Sequence, residues 1–215
     1  MIISRGRGYI FVHIPKTGGT ALTLALEERA MADDILVGDT PKAKRRKGRL
    51  QALRPAGRLW KHSRLADIDG IVAPSEFKDL MVFTLVRNPW DRVVSYYHWL
   101  RTQSFRHPAV GLAKQIDFSA FLNHPDTQKS FAHDLADDYV TDADGRVRCD
   151  HFVRIEQFAR DIAPVEAHLG FSLAPLARAN ESKRPADYRS AYSDADAALI
   201  GRIWSADIAR FGYRF

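Results

Sequence analysis

The sequence predicts an α/β fold, because two of its segments each change from an apolar run to a helix-like pattern across a short turn. The first run spans residues 9–14, and a helix-compatible stretch over 21–30 follows it. The second run spans residues 80–86, and a helix beginning at Pro89 follows it. Strands that alternate with helices favour a three-layer domain with a mainly parallel central sheet flanked by helices. We predict one such domain over residues 1–215.

Weaker patterns of apolar periodicity and turn residues predict the remaining helices and strands. They are a helix over 118–123, a hairpin around the turn 142–145, a strand over 151–155, a helix over 156–169 bent at its proline, and a last helix over 194–209. The strand over 151–155 adds a third apolar segment to the predicted sheet.

Composition narrows the class of protein. The chain is 46% hydrophobic and 27% charged, as globular domains are. No apolar run reaches the roughly 18 to 20 residues of a membrane span, and no hydrophobic signal region stands apart from the first strand. Cys149 is the single cysteine, which excludes an intramolecular disulfide and a multi-cysteine metal site. We therefore expect a cytoplasmic protein without a membrane span.

The formal net charge of +6 indicates anionic partners. Much of the basic charge lies within residues 41–54, which hold no acid and seven basic residues: Lys42, Lys44, Arg45, Arg46, Lys47, Arg49 and Arg54. We predict a mobile basic loop over 41–57, and two interpretations of it remain open, a plain solvated loop and the mouth of a site for an anionic substrate. No aromatic residue interrupts the basic run, so a nucleic-acid partner is not indicated.

The turn after the first strand has the composition of an anion site. It holds a cation, two glycines and two hydroxyls: Lys16, Thr17, Gly18, Gly19 and Thr20. The unpaired N–H groups and the dipole at the start of a helix attract anions, most often phosphates. Lys16 precedes the glycines, so the turn departs from the G-x-x-x-x-G-K-[ST] order of nucleoside triphosphate loops. The alternative is a tight turn with an exposed lysine.

The second turn carries Arg87 at the end of its strand, where metal-dependent phosphotransferases usually hold an acid. An arginine there can bind a phosphate directly. Asn88 and Pro89 are typical of a helix N-cap and first residue. In the helix that follows, one face is apolar, and Asn88, Arg92 and Ser95 fall on another face that could point at a ligand.

Together the segments HIPKTGGTAL and FTLVRNPWDRVVSYY resemble the paired motifs of the PAPS-dependent sulfotransferases, and most closely the carbohydrate-type, heparan 2-O-like branch with its bacterial relatives. The resemblance implies a P-loop-like fold and a sulfuryl donor, 3′-phosphoadenosine 5′-phosphosulfate (PAPS), without a metal. It implies that residues 16–20 hold the 5′-phosphosulfate. It also implies that Arg87 and Ser95 hold the 3′-phosphate.

The resemblance extends toward the C-terminus and implies four further cofactor contacts, which are Asn180, Ser182, Lys183 and Arg184. It implies a carbohydrate or glycolipid hydroxyl as acceptor and leaves residues 31–57 and 101–129 to shape the acceptor site. One position departs from the family, since Ile155 stands where many relatives have an aromatic residue against adenine. The residue that stacks on adenine is therefore not identified.

The resemblance also supplies the catalytic roles. Lys16 is the cation for charge that grows on the leaving nucleotide, and His62 is carried over as the base for the acceptor proton, a role that spacing alone would not assign. Two other functions stay open. The chain could be a non-catalytic nucleotide-binding relative, or a metal-dependent phosphotransferase with an atypical P-loop.

Overall fold

A computed structural model describes residues 1–176 and 187–215. Its five strands form one sheet in the order β3-β1-β2-β4-β5. The strands are β1 (Ile2–Ser4), β2 (Tyr9–Val12), β3 (Ile35–Leu36), β4 (Met81–Val86) and β5 (His151–Arg154). The three apolar segments that predict strands all form them, with bounds that differ from the expected ones by one or two residues.

The sheet is mixed. Strand β2 pairs in parallel with β4, and β4 pairs in parallel with β5, as the alternating pattern predicts. The short strands β1 and β3 add two antiparallel pairings on the other side of β2. The α/β class is therefore confirmed, and the carboxyl ends of β2, β4 and β5 lie at one edge of the sheet.

Eleven α-helices occur in the described residues. They are α1 (Gly19–Glu28), α2 (Pro41–Arg46), α3 (Pro89–Arg101), α4 (Pro108–Gln115), α5 (Phe118–Asn123), α6 (Pro125–Phe131), α7 (Ala136–Val140), α8 (Phe158–Asp161), α9 (Ala163–Leu169), α10 (Asp194–Ile203) and α11 (Ser205–Phe211). None of the helices within 1–176 and 187–215 is long and apolar enough to cross a membrane. The chain divides into two compact units, with Met1–Val86 and Ala136–Ala179 in unit 1 and Arg87–Leu135 and Asn180–Phe215 in unit 2.

Unit 1 contains the sheet, and its core joins one sheet face to α1 and α9. Alternate strand residues of one face, including Phe11, Phe83 and Leu85, are fully buried against Leu22 and Leu26 of α1. The alternate residues of β2 and β4 on the opposite face are buried as well. A strand buried on both faces favours apolar residues at successive positions, which explains the nearly continuous apolar runs in the sequence.

Unit 2 is helical, and its core forms around the predicted apolar face of α3. The five residues of that face are all buried: Trp90, Val93, Val94, Tyr97 and Leu100. Four of them pack in one cluster with residues of α4, α5, α6 and α10. Asn88 caps α3 as predicted, because its side chain accepts the Trp90 N–H at 3.1 Å.

Two long helices predicted from the sequence are broken. Residues 156–169 form a 3-10 turn and then α8 and α9, because Pro164 has no N–H to continue the ladder and so begins a new helix. Residues 194–209 divide into α10 and α11 at Trp204, whose backbone leaves the helical region while its indole is buried. The predicted hairpin is reduced to a single bridge between Thr141 and Val147.

The basic segment 41–57, predicted as a loop, is helical over α2 and over a 3-10 helix at Lys47–Ala52. The Thr40 side chain caps α2 by accepting the Ala43 N–H, and Pro41 is its first residue. A Thr-Pro pair is an ordinary signal for the start of a helix. The prediction of a loop rested on the basic residues that follow this pair and did not take the signal into account.

Three of the basic side chains in this segment bind backbone carbonyls at or just after the end of α1. Lys42 donates to Glu27, Arg46 donates to Met31 at 2.7 Å, and Arg49 donates to Ala32. Cations are favourable at a helix C-terminus, where carbonyl groups lack intrahelical partners. Part of the basic charge thus has a structural use inside unit 1.

The end of β5 is fixed to α8 by an ion pair. Asp161 accepts hydrogen bonds from the Nε and backbone N–H of Arg154 at 2.7 and 3.2 Å. These bonds hold the pKa of the Asp161 carboxyl at about 2, below its ordinary 3.8. A folded-state pKa below the unfolded value means that the pair stabilises the fold at neutral pH and loses this effect as the pH falls from about 4 through about 2.

We therefore expect Asp161→Asn to lower the free energy of unfolding at pH 7 and to differ less from wild type below about pH 3. Urea unfolding at several pH values measures both effects. Asp33→Asn, which changes an exposed carboxylate, is the matched control and should have little effect. A difference between Asp161→Asn and wild type that stays constant down to about pH 2 would contradict this assignment.

Candidate functional site

The first motif forms a tight turn between β2 and α1. Lys16 has a φ of 64° and Gly18 a φ of 86°, both in the left-handed region. Lys16 is the one residue other than glycine with a positive φ in the described part of the chain, and such a conformation is uncommon for a long side chain. The Thr17 hydroxyl donates to the Ile14 carbonyl at 2.9 Å, which closes the turn.

This turn leaves the N-terminus of α1 open to an anion. Gly18 is the N-cap, and no side chain caps the helix. The first turn holds no acidic residue that could satisfy the helix dipole. The first N–H groups of a helix have no intrahelical acceptor, and the dipole adds a partial positive charge there. The backbone therefore provides the features of an anion site that the sequence predicts.

His13 explains why position 19 is glycine. The His13 ring lies so close to the Gly19 backbone that a Cβ there would overlap the ring. Gly18 is constrained as well, because a Cβ on it would lie 3.1 Å from Cδ1 of Ile155 in an unfavourable left-handed conformation. The two glycines thus allow an imidazole and an aliphatic side chain to contact the turn directly.

His62 is held beside the same turn by His13. Its Nδ1 lies 2.7 Å from the His13 carbonyl oxygen, and the two imidazole centroids are 4.6 Å apart. A carbonyl can only accept, so Nδ1 of His62 carries the hydrogen and Nε2 carries the lone pair. The structure therefore brings His62 next to the start of α1, although 49 residues separate it from His13 in the chain.

Both histidines are neutral near pH 7. Burial lowers the pKa of His62 to about 3 from its ordinary 6.5, although the bond to the His13 carbonyl acts in the opposite direction. Burial also lowers the pKa of His13 well below the ordinary value, and the neighbouring His62 adds to this effect. His62 can thus accept a proton at Nε2, but its basicity before any ligand binds is weak.

A short turn positions His62. The buried Ser63 hydroxyl accepts the Trp60 N–H at 2.9 Å and lies 3.0 Å from the Arg58 carbonyl oxygen. The Trp60 ring is 43% exposed and stands edge-on to the His62 ring, with centroids 5.0 Å apart. The neighbouring Lys61 pairs with Asp39 at 2.8 Å.

Arg87 and Ser95 of the second motif both lie in unit 2. Arg87 forms an ion pair with Asp91, in which Nε and Nη2 lie 2.7 and 2.6 Å from one carboxylate oxygen. Ser95 is buried one helical turn beyond Asp91, so Arg87, Asp91 and Ser95 follow one another at intervals of four residues. Asp91 and Ser95, spaced by four within α3, lie on one face of that helix. Arg87 precedes the helix, and its ion pair with Asp91 places a carboxylate beside the guanidinium.

Two other residues predicted to face a ligand have structural partners instead. Arg92 is buried and binds the carbonyl and carboxylate of Asp134 at 2.9 and 2.8 Å. Asn88 donates to the Tyr188 hydroxyl at 3.2 Å and to the Arg214 carbonyl at 3.0 Å. An arginine and an amide buried in a helical unit need such partners, since an unsatisfied buried polar group is costly.

The other predicted cofactor contacts, Asn180, Ser182, Lys183 and Arg184, lie outside the described residues. The contact of the His13 ring with Gly19 was not predicted from the sequence. The only local signal was a histidine in an otherwise apolar strand, three residues before the lysine. In the described residues, no three His, Cys, Asp or Glu side chains come together in a way that could hold a metal ion.

Comparison of the chain with known proteins finds a structural likeness but no family. No protein-family model matches the chain, and no curated protein matches it. The chain is similar to a mouse sulfotransferase, SULT7A1 complexed with PAP, with a TM-score of 0.37 and 16% identity over 97% of this chain and 67% of that chain. At this TM-score the likeness supports no functional assignment, so any assignment must rest on the residues of the chain itself.

The contact between His13 and Gly19 gives a direct test of the turn. We expect Gly19→Ala to reduce the free energy of unfolding by about 1 to 3 kcal/mol, because the added methyl must displace the ring. Thermal or urea unfolding measures the change.

The matched control is Gly111→Ala in α4, where a Cβ meets nothing within 4 Å. The same substitution at that helical position should stabilise the protein by about 0.5 to 1 kcal/mol. Equal effects at the two glycines would show that the His13 ring does not constrain position 19.

Proposed function

We propose that the protein is a PAPS-dependent sulfotransferase, which moves a sulfuryl group to an acceptor hydroxyl and releases adenosine 3′,5′-bisphosphate (PAP). The observation that carries the proposal is the uncapped start of α1 with the imidazole of His62 held beside it. An anion-binding helix terminus next to a neutral imidazole combines a site for the donor with a base for the acceptor. The paired sequence motifs select the donor among possible phosphorylated ligands.

The first turn fits the 5′-phosphosulfate. Its backbone N–H groups at α1 can bind anionic oxygens without a metal, and the absence of an acid from the first turn of α1 leaves no competing charge there. Lys16 supplies the positive charge that we assign to the bridging oxygen of the leaving nucleotide. Preorganised donors of this kind stabilise charge that develops during transfer. The Thr17 hydroxyl is engaged with Ile14, so we assign to Thr17 a role in shaping the turn.

We assign the 3′-phosphate to the second motif. Arg87 is suited to a phosphate because its planar guanidinium can bind two oxygens at once. Asp91 orients this guanidinium through the ion pair at 2.6 Å. Ser95, which lies on the same face of α3 as Asp91, adds a hydroxyl that can donate to the phosphate.

The proposed chemistry is a single displacement at sulfur. The acceptor oxygen forms a bond to sulfur while the bond from sulfur to the bridging oxygen of the donor breaks. The acceptor proton moves to Nε2 of His62, whose lone pair is kept available because Nδ1–H donates to the His13 carbonyl. Negative charge grows on the nucleotide oxygen, where Lys16 stabilises it. The acceptor that we propose is a carbohydrate or glycolipid hydroxyl.

A second candidate is a non-catalytic protein that binds the same nucleotide. The pKa of about 3 at His62 favours it, because a general base is most effective when its pKa lies near the working pH. The two candidates share the nucleotide site and differ in the role of His62.

The nucleotide assignment predicts which substitution affects which phosphate. In the presence of a chelator, we expect Lys16→Ala to weaken binding of PAP and of adenosine 5′-phosphate by about tenfold to 100-fold, and to leave adenosine 3′-phosphate unaffected. Arg87→Ala should weaken PAP and adenosine 3′-phosphate and spare adenosine 5′-phosphate. Each loss corresponds to one charge-assisted contact, and calorimetry measures it.

Lys44→Ala and Arg45→Ala are the controls, because they remove the same charges from exposed positions of α2. They should leave all three affinities nearly unchanged. If wild-type protein does not bind PAP, or if both site variants weaken all three nucleotides equally, the proposed orientation of the nucleotide fails.

The role of His62 is tested by His62→Asn, whose side-chain amide can still donate to the His13 carbonyl but has no basic nitrogen. We expect unchanged PAP affinity and a fall in sulfuryl transfer of about 10²- to 10⁴-fold, the usual contribution of a general base. Transfer is measured with labelled PAPS and a panel of glycans, glycolipids and phenols.

The pH dependence adds a second readout. Because the pKa of His62 is lowered to about 3, its base form is fully populated above about pH 5, and protonation of His62 should produce no fall in kcat/KM near pH 6.5. Transfer by His62→Asn at the wild-type rate would remove the histidine from the mechanism. PAP binding without transfer to any acceptor would favour the non-catalytic candidate.

A further inference from the structure

Trp60 exposes a large apolar ring beside the imidazole of His62. The residue is 43% exposed, and its ring centroid lies 5.0 Å from that of His62. The backbone of Trp60 is fixed, because the Ser63 hydroxyl accepts its N–H at 2.9 Å and the Ser63 N–H donates to its carbonyl at 3.0 Å. A ligand ring that covers this indole removes apolar surface from water, which favours binding.

The same turn carries a guanidinium group. Arg58 is exposed, and its Cζ lies 5.6 Å from the centroid of the Trp60 ring. Within residues 1–176 and 187–215, Arg58 forms no ion pair. The indole attracts the guanidinium and restricts its position, and an arginine offers paired N–H donors to a carboxylate. Arg58 therefore has the features of an anion-binding residue.

The charges around His62 favour an anion as well. Asp39 is an acid whose charge acts on His62, and its carboxylate binds Lys61 Nζ at 2.8 Å. Because this carboxylate is compensated by a neighbouring cation, it repels a second anion only weakly. Arg58 therefore supplies positive charge that no acid of the turn cancels.

The direction of sulfuryl transfer places Trp60 on the acceptor side of the site. In a displacement at sulfur, as at phosphorus, the attacking and leaving oxygens lie in line on opposite sides of the central atom. A general base must lie within hydrogen-bond reach of the attacking group. His62 in its proposed role therefore lies on the acceptor side, and Trp60 beside it contacts the acceptor rather than the adenosine of the leaving nucleotide.

We propose that Trp60 and Arg58 form the acceptor site, in which the indole packs against a sugar ring whose hydroxyl faces His62, and the guanidinium binds a carboxylate of the same acceptor. The acceptor class is therefore a carbohydrate that contains uronic acid. The C–H groups on the face of a pyranose ring pack against an aromatic ring as apolar groups do. The inference rests on the proposed sulfotransferase function, because His62 marks the acceptor side only if it acts as the base.

Calorimetry with the whole chain tests the ring contact, with and without PAP. The probes are cellotriose and its C6-carboxylate form, β-1,4-linked triglucuronate, which differ only at C6. We expect wild-type protein to bind the carboxylate form at least about tenfold more tightly. Trp60→Ala should weaken both probes by about tenfold, and Trp60→Phe should recover most of the affinity because it restores a ring. Leu24→Ala, which removes a similarly exposed apolar side chain from α1, is the control and should bind as wild type does.

Arg58→Gln separates the charge from the ring. It should weaken triglucuronate by about tenfold and leave the affinity for cellotriose within about twofold. Arg202→Gln removes the same charge from an exposed position of α10 and should change neither affinity. The PAP affinity should stay unchanged in every variant, and thermal unfolding checks that each retains the fold. Loss of PAP binding in Arg58→Gln would place this arginine at the donor and overturn its assignment.

Transfer from labelled PAPS gives a readout that a purely structural role of Trp60 would not change selectively. Trp60→Ala should raise KM for triglucuronate by about tenfold and leave KM for PAPS unchanged. The inference is overturned if wild-type protein binds neither probe or binds both equally, if Trp60→Ala matches wild type, or if phenols are better acceptors than both sugars. Wild-type protein that still binds PAP in these cases leaves the proposed function standing, whereas the absence of PAP binding removes the proposed function itself.

Discussion

The close approach of the His13 ring to Gly19 is the constraint on which the proposed site depends. It requires a glycine at the first position of α1, because any side chain there would overlap the ring. The same residue uses its carbonyl to bind Nδ1 of His62. At the residue before His13, the Val12 carbonyl accepts a hydrogen bond from the Thr84 hydroxyl of β4 at 2.8 Å. The end of β2 is therefore tied to two other parts of unit 1, and both the turn and the imidazole take their positions from it.

The elements with strong local signals could be predicted from the sequence. Apart from Thr84, the strand residues Tyr9–Val12 and Met81–Val86 carry no polar group other than the Tyr9 hydroxyl, because these strands are buried on both faces. Asn88 and Pro89 predict the start of α3, and its apolar face predicts the buried residues of unit 2. In each case the signal lies within a few residues of the feature, so no knowledge of distant contacts is needed.

The sequence-based predictions were wrong where contacts between residues far apart in the chain determine the local structure. The basic segment 41–57 has the composition of a solvated loop, yet α2 forms there, and Lys42 and Arg46 bind carbonyls contributed by residues more than ten positions away. Arg92 has the spacing of a ligand residue, but Asp134 satisfies it inside unit 2. The net positive charge is therefore weaker evidence for an anionic acceptor than the composition alone suggests, because some of the basic side chains stabilise the fold.

The contact between His13 and His62 could not be predicted from local pattern, because it joins residues 49 positions apart. The central claim is that these two histidines and the start of α1 form one nucleotide site. The most direct measurement is an NMR titration with PAP, in the presence of a chelator, of protein labelled with ¹⁵N at its eight histidines. We predict saturable shifts of the His13 and His62 ring resonances, with the exposed His107 unchanged. Saturable PAP binding that leaves both the His13 and His62 resonances unmoved would contradict this claim.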